Sequence, residues 1–256
     1  MRRRKTVLLI IILLVLVAFS SFLVSKNFKK NNQATTTIEK FNPVCTRIER
    51  WENKPQYDRA LSLIQQRIQE SIELDKGTDG DTAFTNFPPD LVNCIFIKEE
   101  DIDDKSGIEG YFALDNNEIK NNYFPITVDK DYKEADDIVT ALLIAHEMAH
   151  VQQFLVGTPM TPRNECLRAE ADAFVTQWML FGTLSLEEMG SVNARIERKE
   201  SLHPQLQMLA NIREVSLQYA LPACGFMSRD CDREVLRVQM FKVLFDDEFY
   251  RKQCEK

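Results

Sequence analysis

Residues 131–157 read DYKEADDIVTALLIAHEMAHVQQFLVG, and this segment carries a full set of helix signals. Asp131 and Glu134 have the spacing of a capping box, in which each side chain bonds the backbone N–H of the other residue. Gly157 is the residue type that commonly follows the last turn of a helix, and it marks the other end. The pattern predicts one long helix over residues 132–156.

Inside this helix lies the pentapeptide His146-Glu147-Met148-Ala149-His150, which uses two of the three histidines in the chain. Residues four apart on a helix differ by about 40° in direction and about 6 Å in height, so both imidazoles can reach one metal ion. The glutamate beside the first histidine then lies next to the open coordination position of that ion. The spacing suits zinc. The alternative is an ordinary pair of histidines at the margin of a buried helix face.

A catalytic zinc ion has three protein ligands and one water, so a third ligand must come from another part of the chain. A second helix is predicted from Pro162 to Phe181, with Thr161 as its cap and Gly182 after its end. Three carboxylates on this helix are candidates for the third ligand: Glu165, Glu170 and Asp172.

Helical geometry separates these three carboxylates. Apolar residues line one face of the second helix at spacings of four and three, at Leu167, Ala171, Phe174, Trp178 and Phe181. Glu170 lies at the margin of this apolar face, whereas Glu165 and Asp172 point to the other side. A carboxylate beside a core is costly unless a cation compensates it, which favours Glu170 as the ligand. Its alternative role is an ion pair with arginine or contact with water, and Asp172 can instead accept a hydrogen bond from a ligand histidine.

The segment HEMAH on one helix, followed by EADAF at residues 170–174 on the next, resembles the gluzincin metallopeptidases. It is most similar to their small bacterial membrane-anchored members, in which two such helices pack on a short sheet. The likeness covers about residues 108–181. This chain departs from many relatives at Arg168, because they place the ligand glutamate four residues before the aspartate.

The resemblance implies a zincin-like fold, zinc as the cofactor, and roles for individual residues. In that family two histidines and a glutamate bind zinc, the motif glutamate is the general base, and an edge strand binds the peptide. On this chain those roles fall on His146 and His150, Glu170, Glu147, and the run Pro125–Val128. Some members also use a downstream histidine or tyrosine to stabilise an oxyanion, and His203 is the candidate here. The alternative for His203 is a loop residue without a catalytic role.

The rest of the chain predicts an α+β domain. Apolar spacing predicts a helix over residues 55–74. Short β-prone runs bounded by proline, glycine and asparagine predict a small sheet, with strands at Leu91–Lys98, Tyr111–Leu114 and Phe124–Val128. Beyond residue 131 the signals are helical almost to the end. These patterns predict one mainly helical domain with a small N-terminal sheet over residues 41–256, and the resemblance implies that its fold is zincin-like.

Residues 7–24 read VLLIIILLVLVAFSSFLV and are apolar apart from two serines. At about 1.5 Å per residue, a helix of this length nearly crosses a hydrocarbon core about 30 Å thick. We expect residues 1–30 to form a cytoplasmic tip and a transmembrane signal anchor, followed by a polar spacer over residues 31–40. The alternative is a cleaved signal peptide and a secreted protein, since Ala18 and Ser20 suit a signal peptidase.

Charge and cysteine content limit where the protein acts and on what. The net charge is −7, and because residues 1–30 hold seven basic side chains and no acidic one, residues 31–256 carry −14. Such a body repels nucleic acid. Six cysteines follow the apolar segment, which permits up to three disulfides and favours export of the body: Cys45, Cys94, Cys166, Cys224, Cys231 and Cys254.

Two functional hypotheses follow from these patterns. The first is a membrane-anchored zinc metallopeptidase whose domain lies outside the cytoplasm and hydrolyses a peptide or protein substrate, with Glu147 activating water. The second is a non-catalytic metal-binding scaffold or sensor domain of the same fold. Bound metal without hydrolysis of any peptide distinguishes the second hypothesis from the first.

Overall fold

A computed structural model describes most of the chain beyond residue 53. The described ranges are 54–75, 89–102, 108–112, 123–130, 137–159, 161–198, 204–224 and 229–255. All of them belong to the compact unit Asn42–Lys256. The predicted anchor over residues 7–24 and the spacer lie outside the described residues. Among the helices within these ranges, none is both long and apolar enough to cross a lipid bilayer.

The described residues form mainly helices with one small sheet, which confirms the predicted α+β class. In chain order the elements are α1 (Pro55–Asp75), a 3₁₀ helix (Pro89–Cys94), β1 (Ile95–Glu100), β2 (Gly110–Phe112), β3 (Phe124–Asp129), α2 (Asp137–Leu155), α3 (Arg163–Phe181), α4 (Leu186–Arg198), α5 (Pro204–Val215), a π-helical turn (Ser216–Ala220), α6 (Leu221–Cys224), α7 (Arg229–Asp246) and α8 (Glu248–Gln253). Strands precede most of the helices, as the sequence predicts.

The sheet has the order β1-β3-β2, so β3 lies in its centre. β1 runs parallel to β3 and β2 runs antiparallel to it. All six residues of β3 are buried. The prediction that Pro125–Val128 forms a substrate-binding edge strand is therefore wrong, because both sides of β3 already pair with neighbouring strands. In the described part of the sheet, the edge next to α2 is β2.

The first predicted strand also begins later than expected. Residues Pro89–Cys94 form the 3₁₀ helix, and β1 begins at Ile95. Proline sets the backbone angle φ of a helical turn, and Leu91, Val92 and Cys94 are all buried, at spacings that a turn supports and a strand does not. Apolar residues at the start of this run therefore pack as a turn.

Helix α2 is apolar on nearly all sides, and this determines its position. Thirteen of its nineteen residues are buried. Such a helix must be covered all round, and α2 contacts α1, α3 and β2. Gly157, with a φ of 70°, follows the last turn in the left-handed conformation that glycine adopts easily. The predicted capping box lies outside the described residues.

Helix α3 packs against α2 and also against the C-terminal helices. It begins at Arg163, one residue later than predicted, and Pro162 has extended backbone without a side-chain cap. A disulfide between Cys166 and Cys254 joins α3 to the end of α8. These contacts hold the second predicted helix on the first, which is the arrangement that brings their polar residues together.

Candidate metal centre

His146 and His150 lie one turn apart on α2, and their side chains converge. The two Nε2 atoms are 3.3 Å apart, and the ring planes are nearly perpendicular. His146 is buried and His150 is half-buried. One turn of a helix thus directs two imidazole nitrogens at a common point, as the spacing of the two residues predicts.

Glu170 approaches the same point from α3. Its Oε2 lies 3.5 Å from His146 Nε2 and 3.6 Å from His150 Nε2, and the residue is only 5% exposed. The other two candidates lie elsewhere. Glu165 pairs with Arg168, and Asp172 pairs with Arg237. Of the three predicted alternatives, only Glu170 is brought to the histidines.

The three atoms His146 Nε2, His150 Nε2 and Glu170 Oε2 have the spacing of ligands around one metal ion. Within the described residues they are the group of ligand atoms that can hold a metal. Zinc ligands lie about 2.0–2.2 Å from the ion, and the edge of a tetrahedron is about 1.63 times that distance, about 3.3–3.6 Å. The observed distances of 3.3, 3.5 and 3.6 Å match this edge. The residues therefore fit a tetrahedral zinc ion with one open position.

The electrostatics of the cluster favour positive charge at its centre. Burial works to lower the pKa of His150, but the Glu170 carboxylate outweighs it and raises that pKa to about 9. Burial works to raise the pKa of Glu170, yet His150 and His146 hold it well below its usual range. A buried carboxylate needs a compensating positive charge, which a protonated histidine supplies in the metal-free cluster and a metal ion would supply in its place.

Glu147 lies beside this triangle and is held by the sheet. Burial raises the pKa of its carboxyl group above the ordinary value, although the two histidines oppose this shift. Its Oε2 accepts a hydrogen bond of 3.0 Å from the backbone N–H of Phe112 in β2. The carboxylate therefore has a fixed position between α2 and β2.

The strand register explains how Phe112 reaches Glu147. Asp129 N–H donates to the Glu109 carbonyl, and hydrogen-bonded pairs alternate along an antiparallel ladder. The main-chain groups of Gly110 and Phe112 consequently point away from β3. At Gly110 an added Cβ would lie 3.0 Å from the Thr127 carbonyl oxygen and 3.2 Å from a Leu143 methyl group. A glycine therefore permits the close approach of β2 to α2.

Gln153 supplies an outer contact that the sequence reasoning missed. Its Oε1 lies 2.8 Å from His150 Nδ1, and its Nε2 donates to the Ala169 carbonyl at 2.8 Å. The sequence reasoning offered Asp172 for this contact, but the carboxylate of Asp172 is bound by Arg237. The local signal was the three-residue spacing of Gln153 from His150, which places both on one helix face.

Two aromatic rings lie on one side of the cluster, one from α3 and one from α8, which packs against α3. The Phe174 ring lies 4.3 Å from the His146 ring, and the Tyr250 ring of α8 lies 5.6 Å from Phe174. Burial, and then the charge of Glu170, raise the pKa of the Tyr250 phenol well above 10, so it stays protonated. Sequence periodicity did not indicate Tyr250, because it reaches the cluster from the end of the chain.

His203, the predicted oxyanion-stabilising candidate, lies outside the described residues. No protein-family model, no curated protein and no solved structure matches this chain. The function of the cluster must therefore follow from its own chemistry, and the described side chains already define a candidate metal-binding group of two histidines and one glutamate.

Proposed function

We propose that this chain is a zinc-dependent metallopeptidase of the gluzincin type with a zincin-like fold. The observation that carries the proposal is the triangle of His146 Nε2, His150 Nε2 and Glu170 Oε2, whose sides equal the ligand spacing of a tetrahedral zinc site. A site with three protein ligands keeps one position for water or substrate, which is typical of catalytic zinc. Structural zinc sites usually have four protein ligands.

Zinc in this position supplies Lewis acidity toward a peptide carbonyl and toward water. Glu147 is the general base of the proposed reaction: it accepts a proton from water and returns it to the leaving amine. The Phe112 N–H holds one carboxylate oxygen, which leaves the other oxygen for the proton. The burial of Glu147, which is 4% exposed, keeps competing bulk water away from this carboxylate.

The proposed substrate is a peptide or protein segment in extended conformation. The main-chain groups of Gly110 and the carbonyl of Phe112 point outward on the edge of the sheet, beside the Phe112 N–H that binds Glu147. An extended peptide pairs with such an edge through main-chain hydrogen bonds, which give affinity with little sequence preference. In this proposal β2 has the role that the family resemblance implied for Pro125–Val128.

We further propose that residues 7–24 anchor the protein in the lipid bilayer and that the domain lies outside the cytoplasm. The Cys166–Cys254 disulfide supports an oxidising compartment, because disulfides persist outside the cytosol. Secretion after signal cleavage remains the alternative. The negative body, with a balance of −14 over residues 31–256, gives no reason to propose a nucleic-acid partner.

A second candidate is a metal-binding scaffold or sensor without turnover. One observation favours it: Glu147, the proposed base, is already hydrogen-bonded to the Phe112 N–H and links α2 to the sheet. In that role Glu147 is a structural residue. The two candidate functions make different predictions. A peptidase cleaves peptides and loses this activity when the negative charge of Glu147 is removed, whereas a scaffold cleaves no peptide at all.

The test uses the full-length protein in detergent, with zinc content measured by elemental analysis and cleavage measured on a fluorescently labelled unfolded protein. We expect about one zinc per chain and proteolysis that a chelator abolishes. Glu147→Gln should keep the zinc and lower the cleavage rate by about 10²- to 10⁴-fold, the range for general-base catalysis. Full proteolysis by this variant overturns the assignment of the base. A wild type that contains zinc but cleaves nothing establishes the scaffold instead.

A further inference from the structure

We infer that Gln153 is a positioning residue that orients the ring of His150 and places its N–H on Nδ1, so that Nε2 is the nitrogen that faces the metal. This inference rests on the proposed metal site. Gln153 contacts both helices that supply the ligands, and it is buried. Its role follows from the direction of two hydrogen bonds.

The first bond fixes the orientation of the amide. Gln153 Nε2 lies 2.8 Å from the Ala169 carbonyl oxygen, and a carbonyl oxygen only accepts hydrogen bonds. The amide nitrogen, which donates, must therefore face Ala169, and the amide oxygen must face His150. The hydrogen-bond network thus selects one of the two amide orientations.

The second bond then fixes the proton of His150. Gln153 Oε1 lies 2.8 Å from His150 Nδ1, and since the oxygen accepts, Nδ1 must carry the hydrogen. When His150 binds a metal ion its imidazole is neutral and has one N–H, so a hydrogen on Nδ1 leaves the lone pair of Nε2 for the ion. This is the nitrogen that lies 3.3 Å from His146 Nε2 and 3.6 Å from Glu170 Oε2. Gln153 consequently prepares His150 for metal binding.

The other histidine lacks this support. Within the described residues, no hydrogen-bond partner reaches the buried His146 Nδ1. Among the described contacts of the two ligand histidines, the amide of Gln153 therefore provides the outer hydrogen bond that selects a tautomer. Such outer partners raise ligand basicity and hold ring orientation, and their loss typically weakens metal binding about 10- to 100-fold.

Gln153 also links the two ligand helices. Ala169, whose carbonyl it binds, directly precedes Glu170 in α3. One side chain therefore joins the backbone next to the third ligand to the ring of the second ligand. Both bonds measure 2.8 Å; the bond to Ala169 is buried and the bond to His150 is partly buried, and hydrogen bonds away from water are electrostatically stronger than at a surface.

A purely structural role for Gln153 makes a different prediction, and Gln177 provides the matched control. Gln177 is another buried glutamine, on α3. Replacing either amide by methionine removes a buried polar group of similar size. Only the replacement of Gln153 removes the hydrogen bond to His150 Nδ1.

The experiment measures zinc affinity of the full-length protein by competition with a chromophoric chelator, together with zinc stoichiometry and unfolding temperature. We expect Gln153→Met to bind zinc about 10- to 100-fold more weakly than Gln177→Met. Gln153→Glu keeps an acceptor for His150 Nδ1 but cannot donate to the Ala169 carbonyl, and we expect its zinc affinity within about threefold of the wild type or tighter. This variant decides the question if the methionine variant does not fold.

Equal zinc affinities of Gln153→Met and Gln177→Met overturn the inference. A loss of about 10- to 100-fold in the zinc affinity of Gln153→Glu also overturns the inference. In that case an oxygen acceptor next to His150 Nδ1 does not support zinc binding. A wild type without zinc overturns the proposed function itself and this inference with it. A wild type with one zinc and an unaffected methionine variant overturns only the role of Gln153.

Discussion

Replacing Glu170 by glutamine tests whether this residue is the third metal ligand. The substitution keeps the shape of the side chain and removes its negative charge. Glu170 is 5% exposed, and its carboxylate lies within 3.6 Å of both ligand nitrogens. We expect the variant to bind zinc far more weakly than the wild type, because two neutral imidazoles then face a divalent ion alone.

The magnitude follows from the burial of this charge. Removing one partner of a buried, compensated pair of charges costs about 3–5 kcal/mol. Each 1.4 kcal/mol is a tenfold change in affinity, so zinc should bind about 100- to 4,000-fold more weakly. Bound zinc stabilises the folded protein. At a fixed excess of free zinc, a 100-fold weaker zinc affinity lowers the free energy of unfolding by about 2.7 kcal/mol.

Glu165→Gln and Asp172→Asn are the matched controls. Their side chains are each 34% exposed and pair with Arg168 and Arg237. Exposed ion pairs contribute about 0–1 kcal/mol, so both controls should keep wild-type zinc affinity. The assay is chelator competition combined with elemental analysis. Unchanged zinc affinity in Glu170→Gln, or an equal loss in Glu165→Gln, refutes the reasoning.

Three further predictions concern the supports of the site. Gly110→Ala places a Cβ 3.0 Å from the Thr127 carbonyl oxygen. We therefore expect the free energy of unfolding in urea to fall by about 1–3 kcal/mol and peptide cleavage to slow. An unchanged free energy and cleavage rate contradict the close approach of β2. Removing the Cys166–Cys254 disulfide, which spans 88 residues, by a double serine substitution should lower the free energy of unfolding by about 2–5 kcal/mol; a loss below 1 kcal/mol contradicts this. Burial, and then a hydrogen-bonded glutamate, raise the pKa of Tyr57 above 10, so the stability due to its phenol is complete below pH 10 and is lost as the pH rises further. Between pH 8 and 11 the free energy of unfolding should fall less in Tyr57→Phe than in the wild type, because Tyr250 still contributes an alkaline loss in the variant, and parallel curves contradict the prediction.

Local signals in the sequence predicted the helices well. The helix over residues 55–74 extends to Asp75, and the helix that carries both histidines ends at Leu155, within a residue of the prediction. Caps and apolar periodicity act between neighbouring residues, so the sequence alone contains them. The convergence of His146 and His150 could be predicted for the same reason, because it depends only on their spacing within one helix.

Strand order could not be predicted in this way. β3 was expected at the edge, but its position depends on which strands pair with it, and those pairs join residues far apart in the chain. A buried strand between two neighbours and an edge strand have similar β-prone composition. The contact between Phe112 and Glu147 follows from this pairing, and it was therefore also missed.

The sequence by itself determined the helical class of the domain, the paired histidines and the choice of Glu170 as the anomalous carboxylate, because each of these depends on positions within one helix. Only the tertiary structure decided that Glu170 meets the histidines, that Asp172 is bound by Arg237, and that Gln153 binds the Ala169 carbonyl. These contacts join different helices, and their distances depend on how α2 and α3 pack, which no local pattern of residues specifies.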